Sequence, residues 1–115
     1  MTSNLFLDTI KYLTTIHHFT VTRNNLIRVS TLIGDMITGT VNLDSPDKAV
    51  DVAVFIKHNG DLDYFELWDK DDADYDNLPR IHPSDASDGE HLAMLIACEA
   101  VALHERVRVA IEEGR

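Results

Sequence analysis

Apolar and polar residues alternate most regularly over residues 49–57 and 62–68, on either side of His58-Asn59-Gly60-Asp61. A period of two marks a half-buried strand. Asn-Gly between two such runs favours a two-residue hairpin, because both turn positions need positive φ. The turn also sets the register. With His58 facing Asp61, Val54 faces Phe65 and Val52 faces Leu67, so Val50, Val52, Val54, Ile56, Phe65 and Leu67 share one core-facing side. The opposite side sets Asp51 against Trp68, Ala53 against Glu66 and Phe55 against Tyr64. Aromatic residues are costly to leave in water, so the first helix or another segment is expected to cover that side.

The period changes at both ends of the chain. Phe6, Ile10, Leu13 and Ile16 or His17 recur at helical spacing, with Ser3 as the expected N-cap. The β-branched run Thr14-Thr15-Ile16 places the helix end near His17. A last helix is expected from Ser87, where Ser87-Asp-Gly-Glu90 reads as a capping box, to about Glu113, with Gly114 just past its end. From Leu92 to Leu103 Glu99 alone is not apolar, which predicts burial on several sides. Beyond that the pattern narrows to Leu103, Val107, Ala110 and Ile111.

The middle of the chain is less sharply patterned. Residues 19–22 alternate like a short strand. Residues 26–33 read either as a strand leading through Gly34-Asp35 into a second strand over 36–43, or as a short helix stopped by Gly34. The density of Val, Ile and Thr favours strands. Residues 69–85 carry Pro79 and Pro83 and few apolar side chains, which predicts a long irregular loop. The order helix, antiparallel meander of about four strands, acidic loop and long C-terminal helix packed on the sheet gives a single α+β domain over residues 1–115.

Composition fits that reading: 44% of the 115 residues are hydrophobic and 26% charged, as in a globular fold. Charge adds something new when it is divided. Residues 1–57 hold five acids and five bases, whereas residues 58–115 carry the whole net charge of −10. Within residues 61–90, eleven acids stand against Lys70 and Arg80. Such a concentration repels nucleic acid and membrane surfaces and attracts basic ones. The longest apolar run, 92–98, is far short of the ~20 residues a membrane helix needs. No basic n-region precedes the first apolar residues, so no signal peptide is expected. Cys98, the one cysteine, forms no internal disulfide and fits a reducing, cytoplasmic setting.

Catalytic patterns are weak. The histidines show neither HExxH nor paired i,i+4 spacing: His104-Glu105 begins such a motif, but Arg108 stands where the second His belongs. Cys98 sits in an apolar helix, where a thiol is inert. Starting from Asp72, an EF-hand loop has its early acids in Asp72, Asp74 and Asp76, then fails at Asn77, Pro79 and Pro83. No enzyme, no cofactor and no metal site is expected.

What remains is a binding surface. Acids at every second position of an extended chain lie roughly 6–7 Å apart along one side, of the same order as successive phosphates on a strand. Asp69, Asp71, Asp72, Asp74 and Asp76 are therefore expected to dock on a basic protein surface, with Asp63 and Glu66 beside them and Tyr64, Trp68 and Tyr75 supplying contact area. The simpler alternative is a solvated loop that keeps the protein soluble. Small acidic α+β proteins of this kind occur among phage or mobile-element proteins that block host nucleases, and among nuclease immunity proteins, which is an analogy of type only. A homodimer through residues 92–105 is the other expectation. Met94, Cys98, Val101 and Glu105 share a face distinct from that of Leu92, Ile96, Leu103 and Val107.

Overall fold

A computed structural model describes residues 3–46, 50–56, 62–69 and 78–114, with side chains over residues 5–35, 38–46, 64–69 and 78–114. The chain runs α1 (Ser3–Thr15), β1 (Thr20–Asn24), β2 (Ile27–Thr31), β3 (Gly34–Asp44), β4 (Val50–Ile56), β5 (Leu62–Asp69), β6 (Arg80–Ile81) and α2 (Gly89–Glu112). Every strand pair is antiparallel, and the sheet order is β1-β3-β4-β5-β6 with β2 also on β3. This is the α+β meander with a long helix packed on it.

Helix α1 ends two residues short of His17, and its buried stripe is Phe6, Thr9 and Leu13. Ile16, expected in that stripe, is 51% exposed. The backbone leaves the helix at Thr15 and reverses through His18, whose φ is +61°, so Ile16 no longer follows the helical period. Thr9 is fully buried, but its hydroxyl donates to the Leu5 carbonyl at 2.7 Å, so that hydroxyl is satisfied within the helix.

The middle segment is strand, not helix, with β2 over Ile27–Thr31. β1 and β2 lie along one edge of β3 with Asn24 opposite Val41 and Ile27 opposite Thr38, so they are one strand interrupted at Asn25-Leu26. Across the interruption stands Gly39, whose φ is +124° and where a Cβ would collide with the Asn25 carbonyl oxygen. A side chain cannot be accommodated there, and glycine lets the hairpin bend. The expected turn at Gly34-Asp35 falls earlier, at Leu32-Ile33, because Thr31 already pairs with Gly34.

The β4–β5 register follows the Asn-Gly reading from Asp51↔Trp68 through Phe55↔Tyr64, then shifts so that Ile56 meets Leu62. The turn itself lies outside the described residues. Phe65 and Leu67 are fully buried, as are Val41 and Leu43 on β3, which pair with Val54 and Val52. Both helices pack against this side. On the opposite side Tyr64, Glu66 and Trp68 are half-buried; the side chains of Asp51, Ala53 and Phe55 lie outside the described residues.

Helix α2 begins one residue later than the capping box implies. Asp88 is its N-cap and accepts from the His91 amide at 2.8 Å, a stronger arrangement than a Ser hydroxyl because the acceptor is charged. A Cβ at Gly89 would stand 2.7 Å from the Asp8 Cβ, so glycine is what lets the start of α2 lie directly on α1. The helix buries a single stripe of Leu92, Ala93, Ile96, Ala100, Leu103 and Val107. Its first half is thus not buried on several sides: Met94 and Cys98 are exposed and Val101 is 71% exposed. Ile111, assigned to the inner stripe from its spacing, is exposed as well.

Candidate partner-binding surface

Residues 69–85, expected as one irregular loop, instead hold the last residue of β5, strand β6 and a 3-10 turn at Pro83–Asp85; β6 adds a short outer rung to β5. Glu66 pairs with Arg80 and Phe65 with Ile81, and the Leu67 amide donates to the Pro79 carbonyl at 3.0 Å. β5 thus ends at Asp69, and Pro79 and β6 pair alongside it. Asp71, Asp72, Asp74, Tyr75 and Asp76 fall between, outside the described residues. Asp63 lies in β5.

The register pair Glu66–Arg80 becomes a charge-assisted contact, with the Arg80 Nε donating to Glu66 Oε2 at 3.0 Å. The same guanidinium lies over the Tyr64 ring, 4.5 Å from its centroid, in cation–π range. The His82 ring also lies near Tyr64, tilted and 6.1 Å away between ring centroids. Arg80 thus neutralises one acid and shields one aromatic. The sequence showed Arg80 as one of two bases in the acidic stretch, but its pairing with Glu66 needed the β6 register.

Asp69 departs furthest from its expected place. Its side chain is fully buried, and His104 Nδ1 lies 2.9 Å from its Oδ2. Asp69 is therefore a link between the end of β5 and the middle of α2 rather than an acid on the surface. The alternation carries it inward with Phe65 and Leu67. Two further acids act locally: Asp85 accepts from the His82 amide at 2.9 Å, and Asp88 caps α2. Glu66, Asp69, Asp85 and Asp88 are all engaged within the fold. His104 was missed as a partner because nothing in the spacing of residues 69 and 104 links them.

Two other surfaces stand out. The β2–β3 hairpin ends at Leu32 and Ile33, which are 107% and 95% exposed. On α2, Met94, Cys98 and Val101 face outward, and Ile16 and His17 from the end of α1 border the same region with Met94. Further along α2, Arg108 bonds Glu105 and Glu112. The hydrogen bond with Glu105, followed by the charges of Glu105 and Glu112, raises the Arg108 pKa above its ordinary value.

Among the described residues, no group of three or more His, Cys, Asp or Glu side chains is placed to hold a metal ion, and no helix is long and apolar enough to cross a membrane. Comparison of the chain with family models, curated proteins and solved structures finds no match.

Proposed function

We propose that this chain is a non-catalytic binding protein that docks the acidic segment between β5 and β6 onto a basic surface of a nucleic-acid-binding protein or nuclease, blocking it sterically and electrostatically. The observation that supports this reading is the β5–β6 pairing, which ties both ends of the acidic segment to one sheet edge. Ordering a loop by its ends lowers the entropy lost when it binds. The acids nearest the anchors are engaged internally, and by sequence the segment between them carries Asp71, Asp72, Asp74 and Asp76 against Lys70. Tyr64 and Trp68 adjoin that edge and supply contact area of the kind that anchors interfaces. A phage or mobile-element inhibitor of a defence nuclease, or an immunity protein, would work in this way.

The test is affinity capture from the source cell with the wild type and with a variant carrying Asp→Asn at positions 71, 72, 74 and 76. A basic partner retained by the wild type, released at raised salt and lost with the variant is the expected result. Equal recovery by both proteins would overturn the reading.

A further inference from the structure

The outward face of α2 is apolar in the middle and charged towards both ends. Cys98 lies two residues, about 200° of helical rotation, from both Ile96 and Ala100 on the buried stripe, which puts it at the centre of the outward face. Met94 and Val101 flank it, one turn before and one turn after, and all three are exposed. His91 and Glu105 lie on the same line further out. Glu90 and Arg108 are about five full turns apart, so they share one flank of the helix.

This stretch is also the neutral part of an acidic half. Residues 91–109 hold Glu99 and Glu105 against Arg106 and Arg108, so the face offers a basic partner no net attraction. It is instead complementary to itself. About a two-fold axis beside Cys98, an antiparallel copy brings Met94 against Val101 of the second copy and Cys98 against its equivalent. Further out, His91 meets Glu105, and Glu90 meets Arg108, each pair occurring twice. Antiparallel helices also oppose their dipoles favourably. A parallel copy would stack like charges, Glu90 on Glu90 and Glu105 on Glu105.

We infer that the protein forms a symmetric homodimer through antiparallel packing of the outward faces of α2, centred on Cys98. The dimer carries two acidic segments, one from each chain. Two linked sites raise the effective concentration at a repeated or dimeric target.

The mass in solution is expected at twice that of the chain, and Val101→Glu, an exposed change that leaves the core untouched, returns it to that of one chain. Mild oxidation of the wild type gives a disulfide-linked dimer. The orientation is read in a Cys98→Ser background. Mixed Met94→Cys and Val101→Cys proteins cross-link to each other. Neither cross-links to itself, because antiparallel packing separates equivalent positions by about 9–12 Å along the axis, beyond disulfide reach. Glu90→Arg weakens the dimer, and adding Arg108→Glu restores it. A chain that stays monomeric at every concentration, or Met94→Cys protein that cross-links to itself as readily as to the Val101→Cys protein, would overturn the inference.

Discussion

Two of the antiparallel strand pairs, β4–β5 and β2–β3, differ in what surrounds them. β4–β5 is the middle of the sheet: α1 and α2 lie on one side of it, Phe65 and Leu67 are fully buried, and Asp69 is tied to α2 through His104. β2–β3 is an arm, with four of the five β2 residues exposed and a Leu32-Ile33 tip surrounded by solvent. Both come from β-branched, alternating stretches. Alternation therefore predicts that a segment pairs as a strand, while burial depends on whether another element reaches it. A two-stranded ribbon standing alone is only marginally stable in water, so the arm draws its order from continuity with β1 and the body of β3.

The contrast can be broken most strongly at the centre. Phe65→Ala removes a ring from the fully packed side of β5 and should cost about 3–5 kcal/mol of folding stability, the usual range for such a core deletion, read as a lower urea midpoint. A smaller loss is expected at the joint between the two regions. Gly39→Ala forces a side chain into a positive-φ site against Asn25 and should cost at least ~1–3 kcal/mol. If Gly39→Ala left the urea midpoint unchanged, the bend would not be an obligatory glycine site. The smallest effect belongs to the arm tip. Replacing Leu32-Ile33 by Asn-Gly removes two exposed apolar side chains and supplies the residues a two-residue hairpin prefers. Its effect on the urea midpoint should stay within about 0.5 kcal/mol, as for ordinary surface changes. A large loss would mean that the tip is packed in solution and that the two hairpins are less different than they look.

The parts legible in the residues were those governed by local rules. The Asn-Gly turn implied the β4–β5 register through Phe55, the end of α2 followed from Gly114, and the strand character of Ile27–Thr31, within the 26–33 stretch, followed from its β-branched residues. Reading failed where a distant contact decided. Met94, Cys98 and Val101 are as apolar as Leu92 and Ile96, and α2 has too few neighbours to cover all of them. Asp69 has the composition of the acidic surface but the parity of the core. Of the proposed docking residues, Tyr64, Glu66 and Trp68 came out together on one side of β5, because period two needs only the strand to keep them so.

By itself, then, the chain determined the two helices and the strands of the meander apart from β6, how β4 meets β5, and that the net charge falls in its second half. These follow from dihedral preference, side-chain period and composition, all of which act over a few residues. Tertiary structure decided which apolar faces are covered, which acids are engaged in caps and pairs, and that Pro79 and β6 pair alongside β5. Those outcomes depend on the limited area that two helices can cover on a sheet, and on contacts such as Asp69–His104 that join residues far apart in the chain.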